Sequence, residues 1–447
     1  MIRSLHILDS GFIYNLIFIT ILVIVSQFFA QNIIAGKSLQ LVGMMFGSAL
    51  VITILKRPIN GLIILPFVSY LIPYELQVTG SSIFSPGLLI SAITLFSAAV
   101  QISLARLRPN INWLWILVLA IAINMIIVTT ESSGIGFLKN LLIGFVPFVL
   151  FSLVVNTEYD GRRVLKYWLI AYACFAIIHL ARGGITFSDQ SLLQGFASVR
   201  TAALGGHNPN AIGWMGLLFL PLAPVIAIAS SKREKWKWWL VFFSMVPLLI
   251  FSFSRSTMVG MLLTFGLLSV FLIKRAEGSI RIMIPLLISI LAIYILWTMA
   301  FANRFIPVNS IESVFPELEV RWSWIVKGWR LFALQPLTGA GLNTGYGSHS
   351  GFTKAALDYG LFFFLMYCTA YIYFIKTSYF VSKVHLKPHV RLFASGMLVA
   401  GIVAALQNLF GITLFSAKYS QVFWLFIGYL YLARREITLA KIKLHQI

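Results

Sequence analysis

Three arginines and two histidines stand where hydrophobic spans alone would not put them: Arg200, Arg255 and Arg321, with His207 and His349. Arginine carries a planar, permanently charged fork that fits phosphate oxygens. Arg255 lies in FSFSRSTMVGM between two apolar runs, where an unpaired arginine is costly. Its neighbours Ser254 and Ser256 point to a polar pocket; the competing interpretation is an interfacial arginine whose head reaches water. Arg200 precedes GGHNPNAIGW, in which Asn208, Pro209 and Asn210 read as a helix entry. Glycines 339, 341, 345, 347 and 351 crowd the segment ending near His349, and bare backbone can offer N–H groups to an anion. A neutral imidazole is suited to take a proton from a hydroxyl. His207 and His349 are the two candidates for that role, and a lone loop histidine is more often inert. Arginines beside glycine-rich backbone make a site for a diphosphate. The closest acidic pair on the same face, Glu317 and Glu319, adjoins Arg321 and fits ion pairing better than metal binding. No essential metal and no cofactor are expected.

These groups need a scaffold, and the composition says which kind. Of 447 residues, 59% are hydrophobic and 11% charged, against about 25% charged in soluble domains. That excludes soluble enzymes, nucleic-acid-binding modules and disordered scaffolds. A spanning helix needs roughly 20 apolar residues. Candidate runs fall near 11–30, 38–55, 60–77, 83–104, 112–129, 136–155, 167–181, 209–230, 238–253, 256–273, 282–302, 356–376, 392–411 and 416–433. The expected fold is all-α: one polytopic membrane domain over residues 1–447, with about 12–14 transmembrane helices. Lys and Arg collect in alternate connections, at 56–57, 106–108, 162–166, 232–237, 274–281, 376–391 and 434–443. By the positive-inside rule that side is cytoplasmic, with both termini in it. The net charge of +21 is then topological and implies no nucleic-acid partner. Cys174 and Cys368 sit in apolar runs and support no disulfide framework. His6, His385, His389 and His445 fall in cytoplasmic segments and are expected to be solvated.

Two outward loops exceed turn length, 182–208 and 303–355. In the second, Arg321–Leu334 has helical period, with Trp322, Ile325, Val326, Trp329 and Phe332 on one face and Lys327 and Arg330 elsewhere. Such a helix lies in the headgroup plane, as a cover or as a lid over a lipid-linked substrate.

The order of these segments resembles the O-antigen ligase and O-antigen polymerase family of bacterial envelope glycosyltransferases. The resemblance spans about 195–365 and rests on three pieces: Arg200 before GGHNPNAIG, Ser254-Arg255-Ser256, and the loop from Arg321 through PLTGAGLNTG to His349. The ligase pattern of His, Asn/Ser/Gln, nine residues, Gly, two residues and Gly/Thr/Tyr is met by His349, Ser350 and Gly360, but Phe363 departs from it. The resemblance implies a glycan donor linked to undecaprenyl diphosphate, a glycan or glycolipid acceptor, and an inner-membrane enzyme acting on its outer face. It implies His349 as the catalytic base and Arg200 and Arg255 as diphosphate ligands. Arg321, Asn210 and His207 are expected to join them in substrate binding. Ligase chemistry is the first expectation and carrier-linked polymerisation the second. A transporter or flippase without transferase chemistry would place ionisable groups near the midplane instead.

Overall fold

The computed structural model describes residues 38–71, 86–110, 113–128, 134–185, 209–252, 254–272, 314–341, 350–409, 411 and 416–445. These are almost entirely helical, with no strand among them. In chain order the helices are α1 (Ser38–Lys56), α2 (Ile59–Leu71), α3 (Pro86–Ser103), α4 (Trp113–Val128), α5 (Gly134–Val154), α6 (Glu158–Ile185) and α7 (Pro209–Phe219). There follow α8 (Leu222–Ala229), α9 (Lys232–Phe251), α10 (Arg255–Leu272), α11 (Val314–Leu334), α12 (Gly351–Val384), α13 (Pro388–Leu409) and α14 (Ala417–His445). They cover the apolar runs read from the sequence except 11–30 and 282–302, which lie outside the described residues.

Among the described residues, three helical segments are long and apolar enough to cross a membrane: Ile212–Ala229, Gly351–Val384 and Pro388–Leu409. The first is 89% buried, which makes α7 and α8 the centre of the bundle. Peripheral helices turn apolar stripes outward: Ile116, Leu119 and Ile123 on α4; Trp236, Leu240 and Phe243 on α9; Phe362, Leu365 and Ile372 on α12. Exposed apolar residues at helical spacing are wrong for water and right for hydrocarbon. The fold is therefore an all-helical bundle suited to a membrane.

The described basic turns gather at one end, while that at 274–281 lies outside the described residues. Carbonyls at the close of α1 accept from α3, Ile54 O from Ser97 Oγ at 3.0 Å and Lys56 O from Gln101 Nε2 at 3.2 Å, which satisfies groups a helix end leaves open. Asn110 Oδ1 accepts from Arg435 Nη1 at 3.1 Å, and Lys166 lies over the Trp238 ring. Glu158, 1% exposed, accepts from Tyr429 OH at 2.7 Å and faces Arg162 at 3.5 Å. Its backbone N–H donates to Glu436 Oε1, and Lys387 Nζ stands 3.1 Å from Glu436 Oε2.

His385 corrects an expectation. It is 4% exposed, not solvated, because the turn between α12 and α13 folds it against α14, Nε2 3.7 Å from Glu436 Oε2. Its Nδ1 accepts from the Lys387 N–H at 3.2 Å. Burial pushes the imidazole below its ordinary value of 6.5, against the pull of Glu436 and Glu158 and helped by Lys387 and His389.

Candidate functional site

At the opposite end, three helix starts distant in sequence come together. Those of α10 and α12 are capped alike: Ser254 Oγ lies 3.4 Å from the Thr257 N–H, and Ser350 Oγ 3.3 Å from the Thr353 N–H. A cap serine accepting from the third helical residue is what ends a chain's approach and begins its helix. Trp214 of α7 donates through Nε1 to Ser256 Oγ at 3.1 Å, and Ser256 Oγ is 3.0 Å from Ser254 Oγ. One residue earlier, a Cβ on Gly213 would fall 2.0 Å from Thr257 Oγ1, so α7 and α10 touch only because position 213 lacks one.

The third start is reached through α13. Gly351 N donates to Gly411 O at 2.9 Å, and a Cβ on Gly411 would meet the Trp214 ring at 2.7 Å. A Cβ on Gly351 would fall 1.9 Å from Asn408 Oδ1, which accepts from Tyr367 OH at 2.8 Å. Gly260 packs on Leu217 as Gly213 packs on Thr257, so α7 and α10 run parallel, while α12 runs antiparallel to α13. Three positive helix-dipole ends therefore face one region, an arrangement that favours an anion.

The expected site residues divide accordingly. Asn210, half-buried, is the second residue of α7; Arg255 is the first of α10. Arg255's side chain lies outside what is described. His349 immediately precedes the Ser350 cap and, like Arg200 and His207, lies outside the described residues. Arg321 belongs to α11, eight residues or about 12 Å of helix ahead of Trp329. Its side chain is likewise not described, and no described contact joins it to the three starts. The amphipathic helix is longer than expected, beginning at Val314, so that Glu317 and Glu319 are helical. Trp329 packs on Phe364 of α12 at 5.5 Å, whereas Trp322 stays 65% exposed and Lys327 and Arg330 face outward.

A clamp that the sequence did not reveal holds α11 to α12. At Gly360 the helix breaks, with φ 84° and ψ −179°, a conformation essentially reserved for glycine. The break frees Leu357 O, which accepts from Ala340 N at 2.6 Å, and Leu361 N, which donates to Pro336 O at 2.7 Å. A Cβ on Gly360 would lie 2.1 Å from Leu337 O. Gly339 N donates to Gln335 O. The N–H groups of Gly339 and Gly351 are thus engaged within the backbone, which corrects the expectation of an anion nest at these two glycines.

Other polar groups near this end carried no signal beyond their spacing. Lys354 and Asp358, one turn apart, form a buried ion pair ahead of the break. Gln407, 5% exposed beside Gly260, has no hydrogen-bond partner at either amide atom among the described residues. No group of three His, Cys, Asp or Glu side chains among the described residues is placed to hold a metal ion.

The geometry defines a class: a helical, membrane-suited bundle with a helix-start junction at one end. No protein-family model matches the chain, and no curated protein matches it.

Proposed function

We propose that the chain is a glycosyltransferase of the O-antigen ligase kind, held in a bacterial plasma membrane by about twelve to fourteen spans. Both termini lie in the cytoplasm and the reaction occurs on the outer face. The observation that carries this reading is the meeting of the starts of α7, α10 and α12 opposite the basic turns. It draws the chain around Asn210, Arg255 and Ser350 into one region, and His349 adjoins the last of these.

The donor is a glycan on undecaprenyl diphosphate. Arg200 and Arg255, with the helix dipoles, hold the diphosphate, and the charge that develops on it as it leaves is stabilised by the same groups. His349 takes the proton of the acceptor hydroxyl. The acceptor oxygen bonds to the anomeric carbon while the bond from that carbon to the diphosphate oxygen breaks. The electron pair leaves with undecaprenyl diphosphate, and the proton passes from His349 to water. One displacement inverts the anomeric centre and requires no metal. Arg321 and His207 support the donor, and α11 rests in the headgroup layer beside the lipid.

The test is envelope glycan profiling of a deletion strain complemented with wild type or with His349→Ala. The expected result is full-length glycan left on its lipid carrier and absent from the acceptor. Acceptors bearing one repeat would make the enzyme a polymerase. Normal glycans in both mutants would remove transferase chemistry and favour a transporter.

A further inference from the structure

At the basic end, α9 begins with two cations where its dipole favours an anion. Lys232 and Arg233 are the first two residues of the helix, and both are exposed. Neither has an ion-pair partner among the described residues. The cap does not relieve them, since Ser231 makes no side-chain hydrogen bond to the first turn. The N–H groups of Glu234 and Lys235 both donate to Ser231 O, at 3.0 and 2.9 Å. Those of Lys232 and Arg233 stay open, as the leading N–H groups of a helix do unless something outside it accepts from them. Open N–H groups, a positive dipole end and two unpaired cations together suit an anion. Nearby acids on α6 are engaged elsewhere: Glu158 by Arg162 and Tyr429, Asp160 by Thr157.

What lies one turn further along the same face indicates which anion. Residues three and four apart share a helix face. Trp236 follows Arg233 by three residues and Lys232 by four, and Leu240 and Phe243 continue the stripe. These three side chains are 60%, 60% and 42% exposed. The face therefore runs from cations through a tryptophan to hydrocarbon, the order in which a leaflet runs from headgroup to chain. Its outward direction is fixed from behind. Trp238, 8% exposed, lies under the Lys166 ammonium of α6 at 5.3 Å, and Phe242 and Met245 are buried on that inner side. Glu234, the acid of the first turn, is two residues from both Lys232 and Trp236 and so lies about a half-turn away from them.

We propose that the outer face of α9 binds an anionic phospholipid, its phosphate held by Lys232, Arg233 and the open helix start and an acyl chain lying along Trp236, Leu240 and Phe243. The guanidinium fork and the ammonium meet phosphate oxygens, and basic residues beside a membrane surface draw anionic lipids. A zwitterionic lipid brings a cation of its own that the two side chains repel. A free phosphate would use the charge and leave the apolar stripe idle, so the continuity of the two favours a lipid. Lys237, exposed, and Lys235, half-buried, add to the local positive charge. The site stands apart from the helix-start junction and does not depend on the transferase reading.

The full-length protein in detergent is titrated with phosphatidylglycerol or phosphatidylcholine, and bound lipid is counted by native mass spectrometry. Wild type is expected to retain phosphatidylglycerol in preference to phosphatidylcholine. The double variant Lys232→Gln with Arg233→Gln should bind phosphatidylglycerol about tenfold more weakly, and Trp236→Ser about threefold. All three side chains are exposed, so Tm should stay as in wild type, which separates lost binding from lost folding. Unchanged phosphatidylglycerol affinity in the double variant overturns the proposal. A control, Lys383→Gln with Lys441→Gln, removes two other exposed cations. An equal loss in that control would mean a diffuse positive field rather than a site, and would overturn the proposal too. In a further arm inorganic phosphate competes with the lipid. Full displacement by phosphate, with Trp236→Ser binding like wild type, assigns the site to free anions and removes the lipid. A dimer that Trp236→Ser abolishes would assign the face to a second copy of the chain instead.

Discussion

Side-chain charges tie helices together at the basic end, where Glu158, Glu436, Lys387 and His385 link α6, the turn after α12 and α14. At the other end the joints are made by missing side chains, with Gly213, Gly351 and Gly411 letting backbone meet its neighbours directly. Ion pairs tolerate small movements, since charge attraction falls slowly with distance. Contacts at a bare Cα do not, because an added methyl has nowhere to go. Geometry is therefore held tightest among α7, α10, α12 and α13, the helices that frame the proposed chemistry.

The most severe way to test that contrast is Gly360→Ala. The substitution forces a Cβ onto Leu337 O from a backbone conformation that L-residues avoid, at an expected cost of about 3–5 kcal/mol. Thermal unfolding in detergent would show a large fall in Tm, and glycan transfer would be lost with it. Retention of both would mean that the clamp between residues 336–341 and α12 does not hold α11 in place.

At the basic end the matching change is Glu158→Gln, which keeps shape and removes the charge facing Arg162 and Lys387. Because Arg162 and Lys387 keep contact with water, the expected loss is about 1–3 kcal/mol of stability, with transfer per folded molecule unchanged. A fall in turnover at constant stability would show that the two ends are coupled.

Trp214→Phe is a smaller change at the helix-start end. It deletes one hydrogen bond to Ser256, about 1 kcal/mol of stability, yet lets the start of α10 shift. Transfer is expected to fall about tenfold, more than the stability change would suggest, because small misplacements at a reacting centre are amplified. Equal losses in both measurements would remove the distinction between the ends.

The smallest expected effect belongs to His385. Its folded-state proton affinity is depressed, so the unfolded chain takes up the proton first as pH falls. The stability contributed by burying it neutral is present above its ordinary value of 6.5 and lost as pH drops below it. Comparing Tm from about pH 7.5 to about pH 5.5, His385→Gln should decline less than wild type. Parallel curves would show that His385 does not carry the acid sensitivity of this end.

Much of the scaffold was legible in residue order. Apolar runs mark the helices, and the alternation of Lys and Arg foretells that the basic turns share an end. The helical period of Trp322 to Phe332 foretells a helix there, whereas the packing of its Trp329 on Phe364 of α12 is shown only by the structure. Hidden from the sequence were the break at Gly360, the burial of His385 and the pairing of Glu158's backbone with Glu436. Each depends on a partner from another part of the chain, as Leu337 O does for Gly360, and local propensity says nothing of such partners. Lys354 and Asp358 have helical pair spacing, but only packing makes them a buried pair rather than a solvated one.

The amino-acid order by itself determines which segments are helices and which turns are basic, because hydrophobicity and charge act on each segment separately. Tertiary structure alone decides that the starts of α7, α10 and α12 meet, and that Lys418 lies against Tyr70 and Phe175. The meeting of the helix starts exists because glycines at a few positions let helices far apart in the chain approach within a methyl group's width, a fit that only the assembled bundle defines.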